Sequence, residues 1–92
     1  GIALKHLGYY EEALNSFDRA IEFNPDAYTA WYNRGMTLID LSRHQKAALS
    51  FGKALEIKPD YHKAWYNRGV AEGRSGAYED AIASLDKALE LE

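Results

Sequence analysis

Residues 30–35 read AWYNRG, and residues 64–69 read AWYNRG again, 34 positions later. The same step carries Pro25-Asp26 to Pro59-Asp60. It aligns Ala13, Ala47 and Ala81, then Ala20, Ala54 and Ala88, then Phe17, Phe51 and Leu85, and finally Gly1, Gly35 and Gly69. So many columns at one period make the chain a repeat array, in which each unit buries its apolar face against the next.

Each unit holds two amphipathic segments. Ala47, Phe51, Ala54 and Leu55 fall on one helix face, and the spacing returns at Ala13, Phe17, Ala20 and Ile21 and at Ala81, Leu85, Ala88 and Leu89. Ahead of the second of these, Trp31, Gly35, Leu38 and Leu41 form another stripe. Pro25 and Pro59 end helices because proline cannot continue one, and Asp26 and Asp60 are expected to N-cap the next. Gly8 and Gly76 mark the turn inside a unit, where a left-handed C-cap favours glycine, and Ser42 fits that column less well. The pattern predicts an all-α array with helices over 1–7, 10–23, 28–41, 45–57, 62–75 and 79–91. Short connections make successive helices antiparallel neighbours. The units divide as 1–27, 28–61 and 62–92.

These residues resemble the tetratricopeptide repeat family. Its motif is met by Trp31, Gly35, Ala47, Phe51, Ala54 and Pro59 in the middle unit. The third unit supplies Trp65, Gly69, Gly76, Tyr78, Ala81, Leu85 and Ala88, and the first supplies Gly1, Gly8, Tyr10, Ala13, Phe17, Ala20 and Pro25. The resemblance covers the whole chain and implies a right-handed superhelix of paired helices. It also implies a protein–protein interaction module with a concave groove lined by the first helix of each unit. The first unit lacks its opening residues, and the sequence begins at Gly1 in mid-pattern, so a fragment of a longer array is expected. Some positions depart from the motif. Glu72 stands in the column of Leu4 and Leu38, with Arg68 placed to pair with it one turn earlier so that both charges reach the rim. Gly52 lies inside a helix, His44 replaces the aromatic of Tyr10 and Tyr78, and Gly69 with Gly73 weakens its helix.

Composition narrows the function. Ninety-two residues make one domain with a modest core. A hydrophobic share of 47% and a charged share of 27% fit an ordinary globular chain, and the net charge of −3 argues against nucleic acid. The absence of cysteine excludes a disulfide framework, a thiolate metal site and a Cys nucleophile. No apolar run is long enough to span a membrane. His6, His44 and His62 sit in different units without ligand spacing, and no phosphate loop or nucleophile elbow occurs. The expectation is a non-enzymatic chain with no cofactor or metal, binding neither nucleic acid nor membrane, with a cytoplasmic location.

A helical wheel advancing about 100° per residue picks out a binding face. With Trp31 at zero, Thr29, Asn33, Met36 and Asp40 fall opposite, and Tyr32 lies between. In the third unit Lys63, Asn67, Val70 and Arg74 fall opposite, with Tyr66 between, and the first unit adds Ile2, Lys5 and His6. A solvated face would be polar throughout, whereas this one carries the apolar column Ile2, Met36 and Val70 plus two tyrosines. It reads as a groove for an extended peptide, with the Asn33 and Asn67 amides facing a peptide backbone; the competing reading is that Met36, Val70 and the tyrosines fill gaps between units. Trp31 and Trp65 are expected to be largely buried, and Arg34 and Arg68 to lay their stems over a neighbouring helix and pair with carboxylates. Lys5, Lys63 and Arg74 against Asp40 leave an excess of +2 (three minus one), predicting a mild preference for acidic segments. Family members that clamp the acidic tails of heat-shock chaperones use Lys, Asn and Arg at set positions. Asn33 and Lys63 match part of that set, but Tyr32, Ile2 and Asn67 stand where others are expected, so only the electrostatic bias is carried over.

The ends suggest an alternative, a scaffold that assembles with itself or with flanking repeats. Ile82, Leu85, Leu89 and Leu91 are expected to lack a cover, as are Leu14, Phe17 and Ile21 at the other end. A head-to-tail contact between such ends propagates instead of closing.

Overall fold

The computed structural model describes residues 2–92, with side chains from residue 8 onward. Five helices, and no strand among the described residues, make up the fold: α1 Ile2–Phe23, α2 Tyr28–Asp40, α3 His44–Ile57, α4 His62–Ser75 and α5 Tyr78–Leu91. Each helix packs on the next, and α2 also touches α4. The body measures 40 × 30 × 18 Å, and its thin dimension holds roughly two helices of about 10 Å diameter.

The first two expected helices are one. α1 runs through Gly8 without a break, and the left-handed conformation that would end a helix is found only at Ser42 and Gly76 among the described residues. A separate seven-residue helix would bear the full nucleation cost for little gain, whereas extending an existing helix adds one hydrogen bond per residue fixed.

The other breaks follow turn chemistry. Ala27 N–H donates to the Asn24 carbonyl at 3.0 Å, and Tyr61 N–H donates to the Lys58 carbonyl at 3.2 Å. Each is a β-turn with proline at its second position, the place that the fixed proline φ suits. Asp26 and Asp60 therefore occupy the third turn position instead of capping; the N-caps are Ala27 and Tyr61, with no side-chain cap bond. Within the units, Arg43 N–H donates to the Leu38 carbonyl and Ser42 N–H to the Ile39 carbonyl, both at 2.8 Å. Ala77 and Gly76 repeat these bonds to Glu72 and Gly73 at 2.8 and 3.3 Å. Both are Schellman closures, which need a left-handed residue. Gly76 supplies it at φ 95° at little cost, and Ser42 is forced to φ 60°.

The helix pairs interlock at their glycines. A Cβ at Gly35 would stand 2.7 Å from the Phe51 ring, and one at Gly69 would stand 2.7 Å from Leu85 Cγ. Phe51 is fully buried and, with Leu14, Leu38, Ala47 and Ala71, forms the core. Trp31 and Trp65 differ from expectation: each is only partly buried, with its indole N–H donating to the carbonyl of Pro25 (3.2 Å) or Pro59 (2.8 Å). An indole needs a partner for its one donor, and the turn carbonyl before each helix provides it at the edge of the core.

The arginines pair as expected, by two routes. Arg34 Nε lies 2.7 Å from Asp18 Oδ1 on α1, and Nη1 donates to Ser50 Oγ at 2.6 Å. One unit later the column of Asp18 holds Gly52, so Arg68 has no carboxylate there. It turns to Glu72 instead, with Nε 3.3 Å from Oε2 but not aligned for a hydrogen bond. Glu72 does not reach the rim: it is 7% exposed, and Ser84 Oγ donates to its carboxylate at 2.6 Å. A buried carboxylate requires such partners. His44, which departs from the motif, has a buried Nδ1 without a hydrogen-bond partner among the described residues.

Tyrosines join α2 to α4. Tyr61 lies 5.0 Å from Tyr32 and 5.5 Å from Tyr28, ring centre to ring centre, and Tyr32 also leans on Phe51 at 5.6 Å. Asn67 Nδ2 donates to the Tyr32 hydroxyl at 2.9 Å. Burial, then the neighbouring Tyr61, raises the Tyr32 pKa above its ordinary value, and the Asn67 bond acts the other way. Tyr61 is raised by burial and then by Tyr28, with Lys58 opposing.

Two outcomes are expected. Ser42→Gly relieves the forced conformation, and Gly52→Ala adds helix propensity where the new Cβ meets only the Arg68 guanidinium carbon at 3.9 Å. Each should raise stability by about 0.5–1 kcal/mol in urea unfolding. Because the two tyrosine pKa values are raised on folding, their contribution to stability is intact below the unfolded value near 10 and is lost as pH climbs through the folded values. The urea midpoint should fall above about pH 10, and Tyr32→Phe should make that fall shallower in melts at matched pH.

Candidate partner-binding face

The neighbouring helices α2 and α4 carry most of the predicted groove residues. Thr29, Asn33, Met36 and Asp40 are exposed on α2, and Lys63, Tyr66 and Arg74 are exposed on α4. Val70 is partly buried. Met36 and Tyr66 are large apolar side chains left 36% and 55% exposed. The contributions expected from Ile2, Lys5 and His6 lie outside the described side chains.

Two residues turn inward. Tyr32 is partly buried against the core, and its hydroxyl is held by Asn67. Asn67 Nδ2 also donates to the Lys63 carbonyl at 3.0 Å, so both amide protons are used and only its oxygen remains for a ligand. Tyr32 and the Asn67 amide nitrogen thus bridge α2 and α4. Asn33 differs: its side chain is exposed and makes no hydrogen bond among the described residues. Among described residues the face holds Lys63 and Arg74 against Asp40, an excess of +1 (two minus one).

Beside this face, a cleft of about 470 Å³ opens between α4 and α5, lined by Lys63, Tyr66 and Asn67 on one side and Leu85, Ala88 and Leu89 on the other. The α5 side was not among the predicted groove residues. Its signal in the sequence was the uncovered apolar run at the end of the array, and Ile82 and Leu89 are indeed 61% and 68% exposed. At the other end Leu14 is buried, and Phe17 and Ile21 are partly buried. No group of three or more potential metal ligands occurs among the described residues, and no described helix is long and apolar enough to cross a membrane.

Tetratricopeptide repeat family models match residues 1–62 and 62–92. The TPR domain of Arabidopsis OM64 superposes with a TM-score of 0.87 at 30% identity, covering 100% of this chain and 76% of that one. A crystal structure of MamA gives a TM-score of 0.87 at 28% identity over 99% of this chain and 53% of that one. MamA 41-end from Desulfovibrio magneticus RS-1 gives 0.84 at 28% identity over 100% and 52%. The chain spans about half the length of these MamA structures. A comparison with curated proteins gives no match. The 34-residue period, the interlocked helix pairs and the family match agree, and the chain belongs to the tetratricopeptide repeat family, an all-α fold of protein-interaction and scaffold modules.

Proposed function

We propose that the chain binds an extended segment of a partner protein along the exposed face of α2 and α4. The observation that carries this reading is the pair Met36 and Tyr66, large side chains left exposed on the neighbouring helices α2 and α4. Their apolar surface anchors the segment, and Asn33 offers its exposed amide to the segment's backbone. Lys63 and Arg74 favour acidic side chains near α4. Exposed charges of this kind act mainly through salt-sensitive attraction.

A second reading is a scaffold assembling through the ends of the array, including head to tail with its own copies. It is favoured by the exposure of Ile82 and Leu89 on α5.

Acidic and basic peptides of equal length, titrated at low and moderate salt, test the first reading. Acidic peptides should bind more tightly at low salt, with the gap closing as salt rises. Met36→Glu should weaken both, and Lys63→Ala with Arg74→Ala should remove the preference. Equal affinity for the two peptides would overturn the electrostatic bias, and indifference to Met36→Glu would overturn the face itself.

A further inference from the structure

Gly35 and Gly69 are glycine for a packing reason, and Gly52 is not. A Cβ at either of the first two would collide with Phe51 or Leu85, whereas one at Gly52 meets only the Arg68 guanidinium carbon at 3.9 Å. A glycine inside a helix weakens it, and nothing in the packing of the chain calls for one here. The missing side chain instead opens a notch onto Arg68. One unit earlier the same column holds Asp18, which accepts from Arg34 Nε at 2.7 Å, while Ser50 accepts from Nη1 at 2.6 Å. Arg68 has Gly52 on that side and makes no hydrogen bond among the described residues. Its Nε is buried and lacks a partner, although the side chain as a whole is 33% exposed.

We infer that the notch over Gly52 is a docking site for an aspartate or glutamate side chain of a partner protein, seated where Asp18 sits one unit earlier, with an apolar residue of the same segment against Leu49. A guanidinium without an aligned hydrogen bond keeps its donors for a carboxylate, and such charge-assisted pairs are the strong ones. The side of approach follows from charge. A recess of about 260 Å³ beside Arg68 is lined towards α5 by Glu72, Asp80, Ser84 and Lys87, and its two carboxylates repel a third. On the α3 side the residue after Gly52 is the exposed Lys53, which attracts one. Glu72 keeps its bond from Ser84 when Arg68 turns towards α3, so the buried carboxylate is not orphaned. Leu49 is 72% exposed and lies one turn before Gly52 on the same face of α3. It gives footing to a protein segment that a small free carboxylate could not use. Arg68 points about 120° round α4 from Arg74, so this surface is separate from the face of α2 and α4.

The probe is a capped alanine-based peptide in which a single aspartate has a leucine one helical turn away on either side; its twin has asparagine in place of the aspartate. Each is titrated into the 92-residue chain while the backbone amides and the Arg68 Nε–Hε signal are followed by NMR. The aspartate peptide should move the signals of Leu49, Gly52 and Arg68 Nε–Hε. The asparagine twin should bind there about fivefold more weakly, with the gap narrowing as salt rises. Gly52→Asp puts the carboxylate into the chain itself, at a position where aspartate suits a helix no worse than glycine. The Arg68 signal should then move as the peptide moves it, and the preference for the aspartate peptide should vanish. Leu49→Ser should weaken both peptides alike. Equal affinity of the two peptides at Gly52 and Arg68, or a preference that survives Gly52→Asp, would overturn the inference. Shifts confined to Asn33 and Met36 would also overturn it, while leaving the face of α2 and α4 standing.

Discussion

Gly35 lies so close to the Phe51 ring that a Cβ at position 35 would overlap it at 2.7 Å. This close approach sets how α2 and α3 sit against each other, and much else depends on it. It lets Phe51 reach complete burial with Leu38 and Ala47, and it places Tyr32 on the same ring at 5.6 Å. Tyr32 in turn receives Tyr61 and Asn67, which fix α4 beside α2. The placement of α4 beside α2 is thus a consequence of a missing side chain on α2 itself. Gly69 and Leu85 repeat the interlock in the next unit with an aliphatic knob. There Leu85 is only partly buried.

The units also show how a repeat tolerates change. Arg34 ties α2 back to α1 through Asp18 and forward to α3 through Ser50. With Gly52 in place of the carboxylate, Arg68 loses its link to the preceding unit and takes Glu72 within its own helix, while Ser84 keeps its place beside the network. The columns of Asp18 and Leu38 have in effect exchanged a carboxylate. The exchange leaves the Asp18 carboxylate half exposed and the Glu72 carboxylate nearly enclosed, and only the second carries a large desolvation cost if its pairing is broken.

Periodicity made most of the fold legible. The ends of α2, α3, α4 and α5 lie within a residue of their expected positions because Pro-Asp turns and left-handed C-caps are local devices. The break at Gly8 was misread because a glycine permits a turn without requiring one; whether the chain turns depends on what the preceding segment can pack against. The tryptophans were misread because wheel position reports direction, not depth. The face was half legible. A wheel separates Asn33 from the core, yet it cannot show that Asn67 at the same angle has a hydroxyl from the neighbouring unit within reach. Contacts between units need the superposition of two repeats, and the role of Tyr61 emerges only from that.

If the close glycine–aromatic approach organises the array, positions 35 and 51 must be energetically coupled. A double-mutant cycle of Gly35→Ala and Phe51→Ala, measured by urea unfolding in one sucrose-containing buffer that keeps each variant folded, tests this most directly. Each single change should destabilise, the first by overlap and the second by a cavity. The double variant should be more stable than the sum predicts by about 1–2 kcal/mol, since the new Cβ then enters the space the ring has left. Additive effects would mean that the two positions do not constrain each other, and would contradict the account.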